Sequence, residues 1–450
     1  MNRDFNYQYV NFNNTFAIRP RQVEFPKTLE ELQSVVLQVG EEAKQDGRPL
    51  KIGTSGSYHV FNDMSISQDI MIRTDNLDRI LKIDNEKKVV QVEAGCILFT
   101  LIKTLAEHGL ALDTVPAISG QSIVGSLSTG THGSNFQNGS LASSLLSLQV
   151  VLANGSLLEI GKLESKELFM ALSVSLGTLG VIYSVSLQCR DLYRIREIPL
   201  SISASKTSWF EFRDFLSCLP NILLDHPYTQ LSVEYPSGEV SISLRSLSES
   251  KDSERTERTE RTEKRETKQS EIKQKGCNFL ENQENQGTIG RYDSVLTQPA
   301  SDRQSGYTEI EMAFEFNPQT LFGIFEDIFK LRDRFVGKSL VSPNMLVRFA
   351  AEDKNSYLSM ASDHQHTVYI SFFADSKDLF KPGVWDVFRA YHDFMIEKYK
   401  ARPHFGKIHF LTFAQMNRIY PRFSDFLEVK KWLDPNNIFS NDYSRRLFSA

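Results

Sequence analysis

Between Ser119 and Leu141 the chain reads SGQSIVGSLSTGTHGSNFQNGSL, with glycine, serine and threonine gathered around one histidine, His132. Such residues suit the grip of a phosphate. Glycine lets the main chain approach a ligand closely, and successive amide N–H groups with hydroxyl neighbours satisfy phosphate oxygens without a lysine. A solvated surface loop has the same composition, so the run alone leaves both readings open. A second glycine-bearing turn, Gly53 to Asp63, follows a strand-like segment directly and encloses a lone histidine, His59. A third, Gly177-Thr178-Leu179-Gly180, precedes Val181-Ile182, where a tight turn ahead of a strand would look the same. Two familiar nucleotide schemes are excluded. No G-x-G-x-x-G occurs, and Gly120 to Gly125 has Walker-type spacing but continues as Ser126-Leu127, without the lysine a P-loop needs. His364-Gln365-His366 could turn two imidazoles to one face of a strand, but no third ligand stands nearby, so a polar loop is expected there and no metal site.

Composition narrows the partners. The chain has 450 residues, enough for two or three cored domains, and 51 Lys and Arg against 56 Asp and Glu leave a net charge of −5. That balance gives no electrostatic support to nucleic-acid binding. The four cysteines, Cys96, Cys189, Cys218 and Cys277, are far apart and form no C-x-x-C pair, which fits a reducing compartment. The first residues, MNRDFNYQYVNFNNTF, lack the apolar core of a signal peptide, and no stretch approaches the roughly 18 apolar residues that span a bilayer. A cytoplasmic protein is expected, with peripheral membrane association left open.

Local patterning supplies the elements that must hold these turns. Thr28-Leu29-Glu30-Glu31 is a capping box opening a helix whose Leu32, Val35, Val36 and Val39 share one face, with Gly47 beyond its end. Lys51-Ile52, Ile70 to Ile72 and Val89 to Val92 read as strands, Ile97 to His108 as a helix stopped by Gly109. After the glycine-serine run, Leu148 to Leu152 and Val181 to Leu187 read as strands flanking a helix near Glu164 to Ser173. This is an α+β domain. Further strands at Gln230 to Val233, Val240 to Leu244, Thr308 to Phe316, Leu346 to Phe349 and Val368 to Phe373 form a second sheet, covered by helices at Leu321 to Phe335 and Val384 to Tyr399. Between them the run Ser248 to Lys275, which contains ERTERTERT, has almost nothing to bury and reads as a disordered or frayed-helical insertion.

The three glycine-bearing elements, in this order, resemble the FAD-binding domain of the vanillyl-alcohol-oxidase superfamily. More narrowly they resemble its sugar-1,4-lactone oxidase branch, which holds the L-gulonolactone, D-arabinono-1,4-lactone and alditol oxidases. The matching segments are GSYHVFND at 56–63, VEAGCILFTLIKTLAEHGLAL at 92–112, ISGQSIVGSLSTGTHGS at 118–134 and SLGTLGVIYSVSLQC at 175–189. LVRFAAEDKNSYLSMA at 346–361, RPHFGKIHF at 402–410 and YPRFSDFLEVKKWLDPNNIFSNDYSRRLF at 420–448 match as well. The resemblance implies a PCMH-type two-subdomain FAD-binding domain over 1–192, an α/β substrate (cap) domain over 193–424 that carries the 248–275 insertion, and a segment, 425–450, returning to the first domain.

The resemblance also implies roles. FAD would be bonded covalently through His59. Gly56, Ser57, Tyr58, Ser119, Gly120, Ser122, Gly125, Thr129, Gly130, His132, Gly133 and Ser134 would line the cofactor, and Gly180, Val181 and Ile182 would meet its adenine end. Arg348, with His404 and Lys407 of the His404-Phe405-Gly406-Lys407 segment, would face the substrate, a sugar lactone or polyol. Positive charge there favours the alkoxide that develops as the hydroxyl proton leaves, and a lysine held among cations could have its pKa lowered enough to act as base. Oxygen or another acceptor would take the electrons. One departure bears on this: relatives usually carry Glu where this chain has Leu346. Glu311, Glu315 or Glu352 could supply the missing acid, and its loss leaves a polyol oxidase or a non-catalytic flavin-binding relative as alternatives.

Overall fold

The computed structural model describes residues 3–203, 209–234, 237–248, 287–299, 306–333, 344–375, 381 and 383–449. The low-complexity run over 248–275 lies, Ser248 apart, outside the described residues.

The first half is built on two sheets. The smaller contains β1 (Arg3–Asp4), β2 (Gln22–Glu24), β3 (Ile52–Ser55) and β4 (Ile70–Arg73) in the order β1-β2-β4-β3, with β4 parallel to both neighbours. Helix α1 (Leu29–Asp46) covers it, starting where the Thr28 hydroxyl accepts the Glu31 amide at 3.2 Å and ending at Gly47, whose φ of 65° turns the chain back. Its Leu32, Val35, Val36 and Val39 pack on Ile52, Ile70 and Ile72 as the helical spacing requires. The second sheet is antiparallel. It contains β5 (Ile80–Asp84), β6 (Val89–Glu93), β7 (Leu145–Val151), β8 (Leu157–Gly161) and β9 (Val181–Gln188), ordered β8-β7-β9-β6-β5. Helices α2 (Leu98–Glu107) and α4 (Lys166–Ser173) stand near the expected positions.

The glycine-serine run is not loop throughout. Residues Ile123–Ser128 form a short helix, α3, because Ile123 and Leu127 find apolar burial one turn apart. The start of α2 anchors the residues before α3. Its Leu98 and Phe99 amides, which have no partner inside the helix, donate to the carbonyls of Gln121 and Ser119 at 2.9 and 2.8 Å.

Among the described residues, the second half is one antiparallel sheet of eight strands. These are β10 (Arg194–Ser203), β11 (Gln230–Glu234), β12 (Glu239–Leu247), β13 (Thr288–Arg291), β14 (Tyr307–Glu315), β15 (Asn344–Ala351), β16 (His366–Asp375) and β17 (Arg402–Pro403), ordered β13-β10-β12-β11-β15-β16-β14-β17. Helices α5 (Trp209–Asp225), α6 (Pro318–Asp333) and α7 (Val384–Tyr399) accompany it. Sequence patterning missed β10 and α5, each of which carries a proline. Pro199 is tolerated because β13 pairs only with residues 194–197, so at Pro199 the strand needs no second ladder. Of the last helices, α8 (Phe413–Ile419), α9 (Phe423–Leu433) and α10 (Asp442–Phe448), the first packs on the other two, which return to the first half: Lys430 Nζ donates to the Thr178 carbonyl at 3.0 Å, and Asn441 to those of Met64 and Ile66.

Candidate active site

A cavity of about 260 Å³ runs between the two halves. The residues that line it from the first half carry no lysine or arginine; among the described residues, the cavity's only such cations are Arg348 and Lys407 of the second half.

The first-half lining is mostly main chain and small side chains. It comes from the turn after β3 (Gly56 to Val60), from the approach to α3 and its exit, and from the Gly177 to Ile182 turn into β9. Ser57 Oγ accepts the Ser122 amide at 2.8 Å and so ties the first two elements together. A methyl group at Gly56 would meet that serine's hydroxyl, Ser122 Oγ, at 2.0 Å, so only glycine fits. Gly180, at φ 147°, is likewise closed to side chains: a Cβ would stand 2.6 Å from Val150. Thr54 Oγ1, His59 Nε2, Gln121 Oε1 and Ser126 Oγ line this cavity, buried and without a hydrogen-bond partner among the described residues. Each such group costs about 1–3 kcal/mol unless something pairs it. Four around one cavity fit a polar ligand held by dipoles and hydroxyls, which is what a dinucleotide such as FAD demands in the absence of a lysine.

His59 Nδ1 stands 2.9 Å from the Ser57 carbonyl, and because a carbonyl only accepts, that nitrogen carries the proton and Nε2 is the bare one. Its ring stacks on Phe12 at 4.4 Å. Burial, aided by the charge of Lys407, lowers its pKa to about 4 and keeps it neutral.

The second-half lining is a wall of charge. Strands β14, β16 and β15 lie side by side, with Glu311 opposite Ser371 and Ser371 opposite Leu346, so these side chains share a face with Glu309 and Arg348, two residues along their strands. Arg348 donates to Glu311, and Ser371 Oγ to the same carboxylate oxygen at 2.9 Å. Both charges are buried. Arg348, His132 and His404 outweigh burial and hold the Glu311 carboxyl well below the usual range. Beside this pair Lys407 donates to Glu309. His404 Nδ1 accepts the Gly406 amide at 3.0 Å, and burial lowers that histidine's pKa to about 3. His132 stacks on Tyr369 at 3.4 Å with Nε2 3.3 Å from Glu311. The ligating atoms of His132, Glu311 and His404 lie within 4.8 Å of one another, close enough for a cation, but Arg348 already supplies the positive charge Glu311 requires.

Of the residues singled out in the sequence, Gly56, Ser57, Tyr58, His59, Ser122, Gly125, Thr129, His132, Gly180, Ile182, Arg348, His404 and Lys407 line the cavity. The others stand off it. Ser119 bonds to the Gln298 carbonyl, and Gly120 and Gly130 flank α3. Gly133 lies so close to Val115 that a Cβ would sit 2.3 Å from its carbonyl oxygen. Ser134 hydrogen-bonds Thr229 and the Phe349 amide, joining the halves, and Val181 points into the core under α1. Of the three candidate acids only Glu311 is in place: Glu315 is exposed, and Glu352 faces Lys354 at 3.9 Å. Lys407 corrects an expectation. It sits not among cations but against a carboxylate, so although burial pulls its pKa down, Glu309, Tyr307 and Glu311 raise it overall, which favours the ammonium over a base. Glu309 escaped notice in the sequence; its signal was the pair of acids at strand spacing in TEIEMAFE. His366 stacks on Phe136 at 3.9 Å, away from the cavity.

Comparison with known proteins agrees with both halves. Residues 20–161 match the family described as FAD binding domain, and residues 336–447 the family described as D-arabinono-1,4-lactone oxidase. The chain thus joins an FAD-binding domain to a segment similar to the D-arabinono-1,4-lactone oxidases. It is 24% identical to L-gulonolactone oxidase of Scyliorhinus torazame over 98% of both chains, and 28% identical to L-gulono-1,4-lactone dehydrogenase of Mycobacterium tuberculosis over 95% of this chain and 96% of that one. A variant of cholesterol oxidase from Brevibacterium sterolicum superposes with a TM-score of 0.75 over 98% of this chain and 96% of that one; at 15% identity the likeness is one of fold.

Proposed function

We propose that the protein oxidises a CH–OH group of an aldonolactone of the L-gulono- or D-arabinono-1,4-lactone type, using FAD. The observation that carries this reading is one cavity that joins an uncharged, backbone-lined cradle to a wall bearing Arg348 and Lys407. When bound, FAD supplies a hydride acceptor, flavin N5, that no side chain offers. The chain's own part is electrostatic. Arg348 and Lys407, both protonated, stabilise negative charge developing on the substrate oxygen as its hydroxyl proton passes to water. Glu311 fixes the Arg348 guanidinium in a cavity that Leu346 leaves without an acid from β15. His404 has its Nδ1 lone pair engaged by the Gly406 amide and orients rather than accepts a proton. On this reading residues 1–192 bind the cofactor, 193–424 the substrate, and 425–450 close the first domain.

Covalent attachment of FAD through His59 belongs to the same proposal. It is supported by the neutral, buried and unpartnered Nε2. Yellow colour that stays with the chain after SDS denaturation is the expected result; release of free flavin would refute the linkage. A cytoplasmic location is proposed with it: the free, buried thiols Cys96 and Cys189 support it, the disulfide-bonded Cys218 departs from the reducing compartment expected of the sequence, and recovery of the protein outside the cell would refute it.

Turnover is tested by mixing the purified protein with L-gulono-, L-galactono- and D-arabinono-1,4-lactone and with xylitol, following flavin bleaching, peroxide formation and dye reduction. Bleaching by a lactone is expected, and peroxide or dye identifies the acceptor. Bleaching by xylitol alone would point to a polyol oxidase. A bound flavin that none of these reduces would overturn the reading and leave a non-catalytic flavin protein.

A further inference from the structure

We propose that Glu309 is the positioning residue for Lys407: it holds the side chain at the cavity wall as an ammonium, so that Lys407 serves the reaction as a fixed positive charge and not as a proton acceptor. The inference rests on the oxidation proposed above and adds a group that the sequence did not single out.

The backbone prepares the pair. Strand β14 accepts the His404 amide at the Glu311 carbonyl (2.9 Å) and the Ile408 amide at the Glu309 carbonyl (3.0 Å), which keeps the 404–408 turn in step with the two acids. From the first half, Asn62 Nδ2 donates to the carbonyls of Phe405 and Lys407 at 2.6 and 2.7 Å. The lysine's main chain is thereby fixed from two sides. Its side chain crosses the Phe61 ring, with Nζ 4.6 Å from the centroid, and ends on Glu309, itself buried. Among the described residues, the charged or titratable groups around Lys407 are Glu309, Glu311 and Tyr307 on β14, Arg348 on β15, His404 on its own turn and His59 across the cavity. Strand β15 contributes Leu346 and no acid. The pairing therefore depends on β14, and Glu309 is the partner that makes contact.

The test is Glu309→Gln in the holoenzyme. Brief pulses of acetic anhydride between pH 7 and 11, read by mass spectrometry at each lysine, report which amines are deprotonated, and the exposed lysines serve as controls for the fold. About tenfold more labelling of Lys407 at pH 9 in Glu309→Gln than in the unaltered protein is expected, equivalent to a pKa one unit lower. Equal labelling would overturn the proposal. Flavin reduction by lactone supplies the second readout. Glu309→Gln should lose rate as pH rises through the lowered pKa. Glu309→Asp, and Lys407→Arg placed in the Glu309→Gln background, should not. A Glu309→Gln rate that climbs with pH would make Lys407 a base and sink the idea. If the labelling shift appears but no variant is reduced by any lactone, the oxidation reading fails while the Glu309–Lys407 pairing stands.

Discussion

The two linings of the cavity solve opposite electrostatic problems. On the proposed function the cradle holds a polyanion yet carries no lysine or arginine, and the wall meets an uncharged sugar yet carries two cations, each already bound to a carboxylate. Amide dipoles and hydroxyls hold phosphate without the penalty of a buried charge, provided glycine lets the main chain come close. Stabilising a charge that exists only while the substrate reacts calls for full charges, and those survive burial only when paired. In the cradle the main chain is therefore the reagent and side chains must stay out of its way. In the wall the side chains are the reagents and the sheet serves to set their register.

If that contrast is right, breaking a pair in the wall should cost more than any change in the cradle. Glu311→Gln leaves Arg348 buried without its counter-ion and should destabilise the protein by about 3–5 kcal/mol, the usual effect of removing one partner from a buried pair. Urea unfolding followed by flavin fluorescence measures it, and a loss below about 1 kcal/mol would mean that Arg348 reaches water. Lys407→Ala should slow lactone-driven flavin reduction by about a hundredfold or more while FAD stays bound, as expected when one stabilising donor is removed from a reacting oxygen. Stopped-flow traces showing an unchanged rate would take Lys407 out of the mechanism.

The cradle should respond in binding and not in rate. Gly56→Ala places a methyl on Ser122 Oγ, and overpacking of this kind costs about 1–3 kcal/mol, so in a His59→Ala background, where FAD is held without a covalent bond, the FAD affinity of the apoprotein should fall by about tenfold to a hundredfold. Fluorescence titration of FAD decides it; normal affinity would show that the Gly56 to Val60 turn does not touch the cofactor.

The same contrast explains what could be read in advance. The phosphate cradle is local: a glycine, a hydroxyl and a histidine within eight residues already constrain the backbone, so Gly56, His59, Ser122 and Gly125 stood out. The wall is assembled from partners 37 and 98 positions apart, Arg348 with Glu311 and Lys407 with Glu309, and although TEIEMAFE sets its two acids at strand spacing, nothing within the strand names their partners. Even the cradle was legible only in part. Gly133 and Ser134 belong to the same run, but tight packing on Val115 and a bond across to Phe349 use them to join elements. Small residues serve close packing and ligand approach alike, and composition does not separate the two. Strand β10 and helix α5 were missed for another reason: each breaks its own pattern with a proline that tertiary context accepts.

The smallest expected effect concerns protons. His404 stays neutral in the folded protein because burial has lowered its pKa to about 3, whereas in the unfolded chain it titrates near the ordinary value of about 6.5. A folded-state pKa below the unfolded one means that the stabilisation is complete above about pH 6.5 and is lost as pH falls and the unfolded chain takes up a proton the folded one refuses. At pH 5.5 that uptake favours unfolding by about 1.4 kcal/mol for this residue. Neighbouring Glu311 acts in the same direction but lower: its depressed carboxyl withdraws stability only as pH falls below the ordinary carboxylate range. Unfolding free energies at pH 7.5 and 5.5 should therefore differ less in His404→Asn than in the unaltered protein, by about 1.4 kcal/mol, while the loss below pH 4.5 remains. An unchanged difference would mean that His404 is protonated in the folded protein, making it a third cation of the wall.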